Sequence, residues 1–356
     1  MTGGGACGSV GCNSWEGMHV KHLITTAAAT LALAACAAMP ATEPLISLAP
    51  PHAPIVEGQA VRVVPHPDQL ALLQSDDPRL AANKRLVFDL WRAVVNAGQV
   101  ERAGDFVAAD LIEHNPNGGQ GLDAFTAYFE TVPHRDEAPA LIENPLVTIL
   151  AEGDFVAMVF VDAREAADGS GAYTSTHFDL FRIADGRVAE HWDSVQLGAG
   201  ESGGAPAPIT GVASTEDQIA LVLSGDPALL ANKRTVFDLW RQVPDAGREE
   251  LTDLYLDPIY IQHNPNAATG SAGFREYMAR RPDRPIETHY EHQLVTMIAE
   301  GDLVLQVLAD KRPHPDRPGE TYDIAWFDMF RIENGRIAEH WDAASKGELR
   351  AGTLPQ

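Results

Sequence analysis

The 356-residue chain is predicted to fold as two tandem α+β domains. Two observations carry this. Long stretches recur at near-constant spacing: "ANKRLVFDLWR" from Ala82 returns as "ANKRTVFDLWR" from Ala231, and "FDLFRIADGRVAEHWD" from Phe178 returns as "FDMFRIENGRIAEHWD" from Phe327, each 149 residues later. "AEGD" moves from 151 to 299, a shift of 148, so small gaps compensate between the copies. A period this long marks duplicated whole domains, because solenoid repeats run to about 20–50 residues. Within each copy, segments of helical period come first and strand-like segments follow, the order of helices laid on one face of an antiparallel sheet.

The first copy shows the elements in order. Around "NKRLVFDLWRAVV", Leu86, Leu90 and Val94 share a helical spacing with Val87 and Trp91. "QVERAGDFV" predicts a short second helix, and an extended piece ends at "IEHNPN", where Pro and Asn stop it. "GLDAFTAYFETV" is a third helix with Phe125, Tyr128 and Phe129 inward. Two hairpins follow, one around Glu152-Gly153-Asp154 and one around Asp185-Gly186. The pairs Lys84-Arg85 and Lys233-Arg234 read as a solvated helix face, and Trp91 and Trp192 as core or interface aromatics.

Composition sets outer bounds. Hydrophobic content of 45% and charged content of 21% are those of a globular protein, and a formal charge of -24 excludes a nucleic-acid partner, which needs clustered Lys and Arg. "MHVKHLITTAAATLALAAC", from Met18 to Cys36, has a basic start and an apolar run too short and alanine-rich to remain a membrane span, so residues 1–36 are expected to be a signal peptide with Met18 as the true start. Leu33-Ala34-Ala35-Cys36 resembles a bacterial lipobox, which implies lipidation at Cys36. Ala37 and Ala38, with no aspartate, imply the outer membrane, facing the periplasm. Cys7 and Cys12 would then be discarded, leaving no internal disulfide. Residues 37–68, rich in Pro and Ala, read as an extended tether, 69–198 and 215–350 as the two domains, and 199–214 as a flexible linker.

Helix, "HNP", helix, then a strand hairpin reading "DxFRxxxGRxxEHWD" resembles the SnoaL-like group of the nuclear transport factor 2-like superfamily over almost all of both copies. The resemblance implies cystatin-like cones, each a curved antiparallel sheet closed by about three N-terminal helices around a pocket for a small molecule. It implies no single reaction, since relatives cyclise polyketides, isomerise steroids, open epoxides or do no chemistry. Members of the group dimerise through the outer face of the sheet, so two fused copies are expected to pair as an intramolecular pseudo-dimer.

Hairpin register decides the chemistry. A three-residue loop with Gly186 in a bulge pairs Ile183 with Arg187, Asp179 with His191, His177 with Asp193 and Phe178 with Trp192. His177, Asp179, Phe181, His191 and Asp193 then share one face, with Phe178, Leu180, Val188 and Trp192 on the other. A two-residue type I′ turn at Asp185-Gly186 shifts every pairing by one and sends His191 and Asp193 to the far face. The first arrangement sorts polar from aromatic, and the resemblance puts the aspartate matching Asp193 in the pocket of epoxide-opening relatives. In the second copy the same bulge pairs Asp328 with His340 and Trp326 with Asp342.

A carboxylate beside an imidazole in an apolar hollow suits acid–base chemistry. Asp193 is the expected base, His191 or His177 the proton donor, and Asp179 the group that fixes an imidazole. Asp342, His340 and Asp328 are their counterparts, with Trp326 in place of His177. His114 and His263, just before "NPN", are expected to contact substrate. Each has a plainer reading: His114 bonding the backbone of its turn, and Asp179 and His191 a satisfied structural pair. His177, Asp179, His191 and Asp193 do not have a usual metal spacing and Trp326 breaks the set, so no metal or other cofactor is expected. The sequence thus supports either a metal-free acid–base enzyme for a small apolar carbonyl or hydroxy compound, or a lipoprotein that binds a small ligand without turning it over.

Overall fold

Helix α1 (Pro78–Leu90) begins where Asp77 accepts from the Arg79 N–H and Pro78 occupies a position that needs no donor. This computed structural model describes residues 47–347 apart from Glu57 and Ser202, together with Met1, so the expected signal peptide and Cys36 lie outside the described residues. After α1 the chain makes a π-helical turn at Trp91–Asn96, and a short turn leads into α2 (Ala103–Phe106). Strand β1 (Val107–Glu113), helix α3 (Gly121–Phe129) and strands β2 (Leu146–Glu152), β3 (Phe155–Glu165), β4 (Ala172–Ala184) and β5 (Arg187–Asp193) complete the first cone.

The second cone repeats the order, with one extra helix at its start. Helices α4 (Thr215–Val222), α5 (Pro227–Gln242) and α6 (Thr252–Tyr255) precede β6 (Leu256–Gln262), α7 (Ser271–Met278), β7 (Leu294–Glu300), β8 (Leu303–Pro313), β9 (Thr321–Glu333) and β10 (Arg336–Asp342). The sheets are ordered β1-β5-β4-β3-β2 and β6-β10-β9-β8-β7. They are mixed rather than antiparallel throughout, because β1 runs parallel to β5 and β6 to β10. No hairpin joins those pairs, and the long excursion between them leaves the chain free to return in the same direction.

The hairpin between β4 and β5 corrects both registers. Asp185 (φ 49) and Gly186 (φ 71) are both left-handed, which is the type I′ turn, with Ala184 paired to Arg187. A bulge at Ala189 then adds a residue, so Arg182 faces Glu190, Phe181 faces His191, Leu180 faces Trp192 and Asp179 faces Asp193. The pairs Asp179–His191, His177–Asp193 and Phe178–Trp192 are therefore wrong by two residues. Side chains alternate with period two, so a slip of two keeps each one on its expected side. Asn334 (φ 52) and Gly335 (φ 74) make the same turn in the second copy, where Asp328 faces Asp342 instead of His340. Asp and Asn tolerate the left-handed region better than other side chains, which makes the tighter turn accessible.

All the described chain from Ser47 to Gly347 belongs to one compact unit. The two outer sheet faces meet, with Phe178 and Phe327 stacked at 5.3 Å and both fully buried. Lys84 is buried rather than solvated: its ammonium donates to the Leu72 and Gln74 carbonyls and, at 2.5 Å, to Glu300 of the other copy. Glu300 also accepts from the Ala151 N–H at 2.7 Å. Lys233 and Glu152 repeat the arrangement in reverse, at 2.6 Å, with Glu152 accepting from the Ala299 N–H. The segment expected as a free tether is packed in part, with Leu48, Val61 and Val63 buried and Ile55 and Val56 exposed between them, and the expected flexible linker lies along the first cone and pairs Val212 with Leu294. Among the described residues no helix is long and apolar enough to cross a membrane.

Candidate active site

Between the concave face of the first sheet and its helices lies a cavity of about 260 Å³. Its apolar wall is Leu90, Trp91, Val95, Phe125, Phe129 and Phe181, and Tyr128 stands half-exposed at its edge. The π-helical turn starts at Trp91, whose ring stacks on Phe160 at 4.5 Å and whose indole N–H donates to Asn144. The polar wall is Glu113, Asn115, His177, Asp179, His191 and Asp193. Thus the structure brings together His177, Asp179, His191 and Asp193 of the first copy, as the sequence expects.

These groups form one network. His191 bonds Glu113 through Nδ1 at 2.9 and 3.0 Å and Asp179 Oδ1 through Nε2 at 3.2 Å, so two carboxylates fix its ring. Phe181 stacks on that ring at 4.9 Å. His177 Nε2 lies 3.2 Å from Asp179 Oδ2 but lacks hydrogen-bond alignment, and its Nδ1 is 3.3 Å from the Ser194 hydroxyl. Its side chain is 28% exposed, against 5% for Asp179. Asp193 Oδ2 accepts from the Asn115 side-chain amide at 2.5 Å, and Oδ1 accepts from the Val195 N–H.

Burial opposes charge on all four groups, and their neighbours decide the outcome. For His177, burial is outweighed by Asp179, with help from Asp193 and Asp162, and its pKa rises to about 9. For His191, Glu113 and Asp179 outweigh burial and hold it well above the ordinary imidazole value. Asp179, between two imidazoles, sits below the usual carboxylate value despite its burial. Asp193 goes the other way: burial dominates, the pull of His191 is countered by the Asp179 charge, and its pKa rises to about 6. The charge count explains the split. Two imidazolium rings balance the carboxylates of Glu113 and Asp179, and Asp193 is the carboxylate left without a matching cation.

In the second cone the hollow shrinks to about 50 Å³. Trp326 replaces His177, Gln262 replaces Glu113, and Tyr260 is fully buried where the first copy has Leu111. One carboxylate and one imidazole have left together. His340 bonds Gln262 at 2.9 Å and Asp328 at 3.1 Å, and Asp342 accepts from Asn264 at 2.6 Å. Burial holds Asp342 above the usual carboxylate value.

His114 and His263 are not at the pocket, which corrects the expected substrate contact. Strand alternation turns Glu113 and Asn115 inward and His114 outward, where its ring stacks on Trp192 at 4.8 Å. Its Nε2 meets Glu190 at 3.0 Å and its Nδ1 meets the Ala207 carbonyl at 3.1 Å. His263 stacks on Trp341 at 4.9 Å and meets Glu339 and the Val61 carbonyl. Glu113 and Asn115, which the sequence reading missed, were detectable through that alternation and through the joint change of Glu113 and His177 between copies. Ligand atoms of Asp179, His191 and Asp193 lie within 4.8 Å of one another, as do those of Asp328, His340 and Asp342. Both nitrogens of each histidine are already engaged, so either set would have to release a hydrogen bond to hold an ion.

Each half is therefore an α+β cone of the nuclear transport factor 2-like class, a curved sheet closed over a hollow. The SnoaL-like domain family matches residues 88–191 and 236–340, together more than half of the chain, and the protein belongs to that family as two tandem copies. Similar solved structures each span about one cone. A candidate polyketide cyclase from Acidithiobacillus ferrooxidans is 20% identical over 34% of this chain and 89% of its own, with a TM-score of 0.26. A cystatin-like protein of unknown function from Xanthomonas campestris is 18% identical over 31% and 88%, with a TM-score of 0.23. An LEH-like epoxide hydrolase of M. tuberculosis is 17% identical over 32% and 80%, with a TM-score of 0.24. No curated protein matches the chain.

Proposed function

We propose that the first cone is a proton-transfer catalyst for a small apolar carbonyl or hydroxy compound, and that the second cone is its non-catalytic partner in an intramolecular pseudo-dimer. The observation that carries the reading is the unmatched carboxylate of Asp193, facing an apolar cavity of about 260 Å³ with a pKa of about 6. Such a group is mostly ionised at neutral pH yet basic enough to accept a proton from carbon next to a carbonyl. In that step the C–H proton moves to a carboxylate oxygen of Asp193 and its electron pair passes into the enolate. The charged His177 ring, at the open side of the network, stabilises the developing oxygen anion and can share its Nε2 proton. Both nitrogens of His191 are committed to carboxylates, which favours His177 as the donor. Asp179 positions the His191 ring by a hydrogen bond and keeps His177 charged by its proximity. Return of the proton at another carbon gives isomerisation, and attack of the enolate on a second carbonyl gives ring closure.

Contacts between the sheet faces, centred on Phe178 and Phe327, support the pseudo-dimer, and the small hollow beside Trp326 supports a structural role for the second cone. The basic and apolar run ending in Cys36 supports a lipid anchor at the outer membrane, facing the periplasm. With Cys36→Ala the protein should move from the membrane to the soluble fraction.

Deuterium exchange tests the chemistry. Small ketones incubated with the protein in D2O should gain deuterium beside the carbonyl, and Asp193→Asn should abolish that gain. An Asp193 carboxyl that titrates near 4 by NMR, with no exchange across a ketone panel, would overturn the catalytic reading and leave a cone that binds a ligand without turnover.

A further inference from the structure

Two connecting segments reach across the molecule in the same way. Gly203 to Ala207 leads into the second half, yet it lies on the loop after β1 of the first. The Gly204 N–H donates to the Pro116 carbonyl at 2.7 Å, the Ala205 N–H to the Gly118 carbonyl at 2.9 Å and the Ala207 N–H to the Glu113 carbonyl at 2.7 Å. Gln120 returns a bond to the Ala205 carbonyl, and His114 closes on the Ala207 carbonyl. Farther on, Val212 exchanges two backbone bonds with Leu294 at the start of β7.

Gly58 to His66 does the reverse. It precedes the first cone, but Val61 donates to the Gln262 carbonyl at 2.7 Å and its own carbonyl meets His263 at 2.8 Å. Only then does His66 donate to Leu146, at the start of β2. Each strap thus docks on the other half before joining its own. This gives the outward histidines a role: His114 and His263 bridge a strap to Glu190 and Glu339.

The loop that the first strap grips is the one that lines the pocket. Asn115, the donor to Asp193, lies between the gripped carbonyls of Glu113 and Pro116. Contact is very close at Gly204, where a Cβ would stand 1.9 Å from the Gly118 oxygen. Only glycine allows the two backbones to meet there.

We propose that Gly203 to Ala207 is a positioning strap for Asn115, so that the segment leading into the second half completes the pocket of the first, with Gly58 to Val61 completing the second in exchange. The effect on turnover rests on the catalytic reading above, whereas the coupling of strap to loop does not. The test uses the full chain carrying Gly204→Val, which forces the strap off the loop, and separately Ala205→Pro, which removes one N–H donor. In wild type the Asn115 side-chain amide proton should resonate downfield because of its short bond to Asp193. Gly204→Val should abolish that shift and speed hydrogen exchange at the Ala207 amide by about tenfold or more, while Ala205→Pro should give a smaller change of the same sign. Gly225→Ala, at a position with no neighbour within 4 Å, should change neither.

If Gly204→Val does not fold, Ala205→Pro decides alone. An unchanged Asn115 resonance and unchanged Ala207 protection in a folded strap variant would overturn the proposal. Strap coupling in a protein that exchanges no ketone proton would refute the catalytic reading only.

Discussion

Asp179 and Asp193 face each other directly across β4 and β5, so two buried carboxylates occupy neighbouring positions on the wall of one cavity. Like charges this close cannot both be favoured, and the surroundings assign their states. Asp179 sits between two imidazoles and is held below the usual carboxylate value, whereas burial and the nearby Asp179 charge raise Asp193 to about 6. The direct pairing follows from the bulge at Ala189, which makes that one inserted residue part of the site's electrostatics.

A stability measurement isolates Asp193. Its folded pKa of about 6 lies above the unfolded value of about 4, so its contribution is fully present below pH ~4 and is lost as pH rises through about 6. Asp193→Asn removes that dependence. Chemical denaturation at pH 4 and pH 7.5 should show wild type losing up to about 3 kcal/mol more than the variant between the two. Equal losses would mean that Asp193 titrates normally.

Proton transfer should have a bell-shaped pH profile. Activity rises as Asp193 ionises near pH 6 and falls as His177 loses its proton near pH 9. His177 stability runs the same way as its charge: the contribution is present below the ordinary imidazole value and is lost as pH rises through about 9. Ketone exchange followed from pH 5 to 10 checks both limbs. His177→Gln should remove the alkaline one.

The duplication, the helix-then-strand order and the shared face of His177, Asp179, His191 and Asp193 could all be read from the sequence, because period-two alternation survives an error of two residues. The turn could not be settled, since Asp185-Gly186 suits both a type I′ turn and a bulged loop, and the extra residue at Ala189 has no local signature. Lys84 and Lys233 look like surface residues, and their burial depends on an acid that belongs to the other copy. Glu113 hid beside His114, whose imidazole drew attention although its side chain points away from the pocket.

Charge balance makes Glu113 and His177 interdependent. Glu113→Gln leaves His191 with a single carboxylate partner, and His177→Gln leaves three carboxylates facing one imidazole. Each change alone should cost about 2–3 kcal/mol: the first weakens the charge-assisted bond that holds His191, and the second leaves two of the carboxylates without a cation. The double variant removes one charge of each sign, as the second copy already does with Gln262 and Trp326. In urea denaturation it should cost less than the sum of the singles by about 1 kcal/mol or more. Strict additivity would show that the network is not electrostatically coupled.

The crossed ion pairs test whether the halves stand or fall together. Lys84 is fully buried and held at 2.5 Å by Glu300, and burial pushes the lysine pKa down and the glutamate pKa up even though each attracts the other. Glu300→Gln keeps an acceptor for the Ala151 N–H but leaves the ammonium without its counter-charge, so it should destabilise by about 3–5 kcal/mol. Adding Lys84→Met removes the stranded charge and should recover most of that loss, since an apolar side chain of similar length suits the site. Because the pair joins opposite halves, Glu300→Gln should lower a single shared melting transition rather than split it in two. Separate transitions, with the first cone melting as in wild type, would show that the two copies fold independently and that the contact between their sheets contributes little.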